Sequence, residues 1–137
     1  MTDFLVFAKP DAVRRNLVGE IIARFERKGF VLKDIKRVRP TAAQMEKHYE
    51  EHEGKPFFNG LVSFATSGPI VLMVWRGNIA AARALIGSTK PWEASPGTIR
   101  GELGSSTPDN LVHCSDSEES ARRELDMCRF VYSLGQQ

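Results

Sequence analysis

Apolar residues fall along this chain in short bursts whose spacing changes from one segment to the next. "FLVFA", Phe4 to Ala8, is a continuous apolar run of strand length, consistent with a strand buried on both faces. Lys9, Pro10 and Asp11 end it. In "LVGEIIARFERKGF" the apolar positions Val18, Ile21, Ile22 and Phe25 have the one-sided spacing of an amphipathic helix. Gly29 follows a basic last turn and reads as the C-terminal cap, with Lys28 beside the negative end of the helix dipole. "FVLKDIKRVR" is rich in β-formers and stops at Pro40-Thr41. The polar stretch from Thr41 to about Glu53 is helix-prone, with Thr41 as N-cap. "PIVLMVW", Pro69 to Trp75, is the clearest buried strand, and "NIAAARALIG" is a short alanine-rich helix closed by Gly87.

From Ser88 to Asp109 no periodicity remains, and prolines and glycines are scattered through the segment. It reads as a long loop, a feature that compact domains usually keep for function. A short strand at Leu111-Val112 and a helix from about Ser117 to Met127 complete the pattern. The order β-α-β-α-β-α-loop-β-α fits an α/β fold in which split β-α-β units pack on one sheet, the ferredoxin-like arrangement. A flavodoxin-like wound sheet fits the same order.

Length adds that the 137 residues form a single domain, 1–137. The net charge of +2 does not favour nucleic acid or an anionic membrane as the main partner. Cys114 and Cys128 give no metal-ligand spacing. With no signal peptide and no membrane-length apolar run, the expected location is cytoplasmic, with reduced thiols.

Candidate chemistry concentrates in "NLVHCSDSEES", residues 110–120. His113 is expected just outside a helix start, at the mouth of a strand. Ser115, Asp116 and Ser117 are all N-cap types, and helix N-termini attract anions. Imidazole with a reference pKa of about 6.5 is available as a neutral nucleophile near neutrality. Ala121, Leu125 and Cys128 mark the inward stripe of the last helix, and Glu124 falls on the same side. A carboxylate there needs a partner, and Ser115 or His113 would serve.

Taken together, "KPDAVRRNLVGEIIARFERKGF", "HYEEHEGKPFFNGLV", "SGPIVLMVW", "PGTIRGE" and "NLVHCSDSEESA" resemble the nucleoside diphosphate kinase family in order and spacing, from about Phe4 to Leu125. The resemblance implies a ferredoxin-like βαββαβ α+β sandwich with an antiparallel sheet covered by helices. It implies transfer of the γ-phosphate of a nucleoside triphosphate to a nucleoside diphosphate by a ping-pong route through phosphorylated His113. By the same resemblance Lys9 binds phosphate and offsets developing charge. Tyr49 hydrogen-bonds near the histidine and lysine, and Ser115 and Glu124 orient His113. Phe57 stacks on the base with Leu61 beside it, Thr107 sits near the base, and Asn110 reaches the ribose. Arg83, Thr89 and Arg100 contact phosphates. Mg2+ is expected on the nucleotide phosphates, with no dedicated protein ligands, and the partners are nucleoside tri- and diphosphates and further copies of the chain, a dimer-based tetramer or hexamer. Cys114 stands where the family usually has a small residue, so its oxidation is expected to block the site. A non-catalytic member of the same fold, binding nucleic acid through the basic first helix and second strand, is the alternative.

Overall fold

The computed structural model describes residues 2–50, 53–55, 62 and 66–134. Strands β1 (Thr2–Ala8), β2 (Val31–Val38), β3 (Ile70–Gly77) and β4 (Val112–Cys114) form one sheet in the order β2-β3-β1-β4. Every neighbouring pair runs antiparallel. That order is the ferredoxin-like one, and the antiparallel pairing excludes the flavodoxin-like alternative. Helices α1 (Pro10–Arg14) and α2 (Val18–Lys28) link β1 to β2, and α3 (Ala42–His48) follows β2. Helices α4 (Ile79–Ile86) and α5 (Ile99–Leu103) lie between β3 and β4, and α6 (Glu118–Tyr132) follows β4.

Side-chain alternation on the central strands builds a core on each face of the sheet. Phe4, Val6 and Ala8 of β1 pack with Met73, Trp75, Ile21, Phe25, Ile86 and Ile99 on one face. Leu5 and Phe7 pack with Leu72, Val74, Met45 and Leu125 on the other. β1 and β3 therefore read as unbroken apolar runs because neither face meets water.

Local chemistry sets most element ends. Gly29 closes α2 in the left-handed conformation, with φ of 102°. Thr41 and Gln44 form a reciprocal capping box at the start of α3. Asn78 caps α4, Thr98 caps α5 and Ser117 caps α6 through side-chain oxygens.

Three expectations are corrected, and a fourth holds with an added detail. Lys9-Pro10-Asp11 does end β1, but Pro10 also occupies the first position of α1, where its missing N–H is harmless. Helix α3 stops at His48, short of Glu53. The segment 88–109 is not structureless, since it holds a 3-10 turn at Pro91–Glu93 as well as α5. Helix α6 runs to Tyr132, beyond Met127.

The close approach of α2's C-terminal turn to β3 gives a stability test. A Cβ on Gly77 would lie 2.3 Å from Phe30 Cδ1. Phe30 cannot swing aside, because its ring packs against Phe4 and Phe25. Gly77→Ala is expected to lower stability in urea unfolding by about 1–3 kcal/mol. Gly19→Ala in α2, with nothing within 4 Å of the new methyl, is expected to be neutral or stabilising by up to about 1 kcal/mol. Equal effects of the two would contradict this packing.

Candidate functional site

β4 carries the histidine, and its position starts with one strained residue. Leu111 has φ of 78°, a left-handed conformation that is costly for a branched side chain. Two bonds hold it there: the Leu111 N–H donates to Asp11 Oδ2 at 3.2 Å, and its carbonyl accepts from the Lys9 N–H at 2.9 Å. The turn delays strand pairing until Val112. Register then sets His113 opposite Phe7 and Cys114 opposite Val6. His113 is thus the middle residue of β4, not a residue beyond its end. Its ring stacks on Phe7 at 4.9 Å between centroids and meets His48 edge-on at 4.6 Å.

The next element fixes which ring nitrogen points inward. His113 Nε2 lies 2.9 Å from Glu124 Oε2. Ser115 Oγ donates to Glu124 Oε1 at 2.7 Å and accepts the Leu5 N–H at 3.0 Å. Glu124 is 3 % exposed. Burial alone would raise its pKa, but attraction to His113 and the hydrogen bonds from His113 and Ser115 outweigh burial and keep it ionised, well below the usual range. An ionised Glu124 calls for a proton on Nε2, which leaves Nδ1 with its lone pair.

A cavity of about 490 Å3 opens over this histidine. Lys9, Tyr49, Arg83, Thr89, Arg100, Thr107, Asn110, His113 and Glu124 all line it. Ser115 is fully buried behind the cavity and acts only through Glu124. Phe57 and Leu61 lie outside the described residues.

Three cationic side chains converge on the cavity. Lys9 Nζ donates to Asn110 Oδ1 at 2.7 Å, and Asn110 Nδ2 in turn donates to the Thr89 carbonyl. Burial, then the charge of Arg100, pulls the Lys9 pKa down to about 8. Arg100 donates to the carbonyls of Gly87, Asn110 and Val112, so it braces the loop as well as facing the cavity. Burial and Arg83 pull its pKa down to about 10, which leaves it charged at neutrality. Arg83 donates to the Cys114 carbonyl at 3.0 Å. Like charges held this closely call for an anion between them.

His48, Asp11 and Asp116 were not singled out from the sequence as site residues, whereas Cys114 was expected at the site. His48 lines the cavity and is 2 % exposed, and burial pulls its pKa down to about 3, so it stays neutral. Its place in "HYEEH", beside Tyr49, was the available signal. Asp11 never meets the cavity and acts by holding Leu111, which no local pattern announces. Tyr49 stands edge-on to His48 with its ring 6.5 Å from that of His113, and burial raises its hydroxyl pKa. Cys114 lines the cavity but is 2 % exposed, and burial pushes its thiol up to about 12. Little thiolate at neutral pH and little exposure both act against the expected oxidative block.

Lys9 gives a pH test. Its pKa is about 8 folded against 10.5 unfolded. Between those values the unfolded chain binds more protons, so stability rises with pH through that window. Relative to Lys9→Met, the wild type is expected to gain up to roughly 3 kcal/mol in urea unfolding across it. Parallel stability curves for the two proteins would rule out this charge burial.

Comparison with known proteins agrees with the geometry. Residues 3–130 match the family model described as nucleoside diphosphate kinase. A nucleoside diphosphate kinase of Prochlorococcus marinus is 56% identical over 121 residues, covering 87% of this chain and 80% of that protein. A cytosolic nucleoside diphosphate kinase of Dictyostelium discoideum is 56% identical over 119 residues, covering 85% of this chain and 77% of that one. A halophilic nucleoside diphosphate kinase from Halobacterium salinarum, solved in complex with CDP, superposes with a TM-score of 0.88 at 44% identity, covering 91% of this chain and 85% of its own. With the sheet order, the Ser115–Glu124–His113 relay and these matches in hand, the chain belongs to the nucleoside diphosphate kinase family.

Proposed function

We propose that His113 takes the γ-phosphate of a nucleoside triphosphate, usually ATP, and passes it to a nucleoside diphosphate, keeping nucleotide pools in balance. The class of reaction follows from the family: the chain is a kinase that transfers phosphate between nucleotides. The observation that carries the role of His113 is the Ser115–Glu124–His113 relay beneath a cavity lined by Lys9, Arg83 and Arg100.

In the first half-reaction Nδ1 attacks the γ-phosphorus, the N–P bond forms and the bond to the β-side oxygen breaks. The diphosphate leaves with that electron pair. Glu124 offsets the positive charge the ring gains, through the Nε2 proton. Lys9, Arg83 and Arg100 offset charge on the transferred oxygens, where pre-set donors act without reorganising. In the second half-reaction a diphosphate oxygen attacks the phosphohistidine and regenerates neutral His113. Asn110 is assigned the ribose, Thr89 a phosphate contact, Thr107 the edge of the base site, and Phe57 with Leu61 the base itself. Stacking does not read base edges, which suits acceptance of purines and pyrimidines alike.

Mg2+ is assigned to the nucleotide phosphates. Among the described lining residues the carboxylates are Asp116 and Glu124, and Glu124 is already bonded on both oxygens. That is too few hard oxygen donors for a protein cage, and it fits an ion that arrives on its substrate. When bound, the ion neutralises phosphate charge and orients the chain of phosphates.

We also assign the chain, as one domain over 1–137, to a homo-oligomer built from dimers. Support comes from β2, at the sheet's edge with Val31 52 % and Ile35 43 % exposed. Such an edge is a template for a second copy. A cytoplasmic location is supported by the cytosolic relative, and among the described residues no helix is long and apolar enough to cross a membrane.

Incubation with ATP labelled on its γ-phosphate is expected to leave acid-labile, base-stable label on the protein, discharged by GDP and lost in His113→Ala. Glu124→Ala is expected to slow the labelling by roughly 10²-fold or more, and Ser115→Ala by less. Label retained by His113→Ala would move the nucleophile elsewhere.

A further inference from the structure

We propose that His48, His113 and Glu124 also form a site for a borderline transition-metal ion, zinc foremost, that inhibits the enzyme by holding its nucleophile. Each side chain offers one donor atom, and the three atoms lie within 4.8 Å of one another. His113 Nε2 and His48 Nε2 stand 2.9 Å and 4.0 Å from Glu124 Oε2. Two imidazoles and one carboxylate are the donor set of three-ligand zinc sites that keep a fourth position open. Bonds of about 2.1 Å place tetrahedral donors roughly 3.4 Å apart. The His113–Glu124 pair needs to open slightly, and His48 needs to approach by less than about 1.5 Å at that donor spacing.

His48 supplies the independent observation. Its side chain is 2 % exposed, and its Nε2 has no hydrogen-bond partner among the described residues. An N–H there is too far from Glu124 to bond at 4.0 Å. A bare lone pair there would face a carboxylate oxygen across 4.0 Å, an unfavourable approach of two electron-rich atoms. A cation between the two groups satisfies both, and the phosphate-transfer reading leaves that nitrogen without a task. All three residues line the cavity, so an ion has a path from solvent. The donor set favours zinc over magnesium, a hard ion that prefers an octahedral oxygen shell. The enzyme's working ion and the inhibitory ion therefore do not compete for these atoms.

Binding rests on geometry alone, whereas inhibition rests on the reading of His113 as nucleophile. Coordination would displace the proton that His113 Nε2 shares with Glu124. A neutral ring bound through Nε2 carries its proton on Nδ1, whose lone pair is then unavailable to attack phosphorus, and chelation would reverse it.

Cobalt(II) reports such a site by its visible absorption. Titrated into nucleotide-free protein, it is expected to show four-coordinate bands that saturate at a single ion per chain. Zinc should displace it, and excess magnesium should not. His48→Gln and His113→Gln, each with a native circular dichroism spectrum, are expected to weaken binding at least tenfold, roughly the scale seen for metal-site support. His113 is the more exposed of the two, at 19 % against 2 %, so its variant serves if the other does not fold. Unchanged binding in the folded variants, thiolate charge-transfer absorption, or no binding would overturn the site. Zinc that binds there yet leaves phosphate transfer intact would overturn the inhibition. A metal-free enzyme that transfers no phosphate would overturn only the reading of His113, because the cobalt titration does not depend on it.

Discussion

Glu124 lies on the inward face of the last helix, where an ionised carboxylate survives only if donors claim its oxygens. Ser115 claims one and His113 the other, while Ser115 also accepts the N–H of Leu5 in the central strand. This short relay ties α6 to β4 and β1, and it settles the orientation of the histidine ring. Reactivity follows from that orientation. A ring whose Nε2 carries the proton toward a carboxylate presents Nδ1 as its basic nitrogen.

Opposite the relay stands a group of like charges. Lys9, Arg83 and Arg100 are kept near one another by bonds to neutral groups, mostly backbone carbonyls, rather than by carboxylates of the described residues. Burial, and then their mutual repulsion, lowers the pKa of Lys9 and of Arg100. A bound polyphosphate relieves that repulsion, so part of the stability lost in the empty site returns as affinity for an anion. The positions are held by the Leu111 turn and its Asp11 brace, which place Asn110 against Lys9.

Much of this is legible in the sequence. The apolar runs at β1 and β3, the Gly29 cap, the Thr41 cap and the inward position of Glu124 each follow from a local rule of spacing or capping. Choice between two sheet topologies did not follow, because strand order depends on contacts between segments far apart in sequence. The short helix α5 escaped notice because its five residues are too few to show a period. His113 was expected beyond its strand because the left-handed turn at Leu111, which sets the register, depends on Asp11, 100 residues away. The assignments of Lys9, Arg83, Thr89, Arg100, Thr107 and Asn110 came from family resemblance, and their convergence on one cavity supports them. His48 was marked only by its place beside Tyr49 in "HYEEH", since its importance comes from two groups brought beside it by folding.

The central claim is that the Ser115–Glu124 pair selects the reacting nitrogen of His113. Magnetic resonance of the phosphorylated protein, carrying isotope-labelled histidine, reads this directly. The account predicts phosphate on Nδ1 and a retained proton on Nε2. Phosphate on Nε2 would mean that the hydrogen bond to Glu124 is broken during catalysis, and would contradict the account.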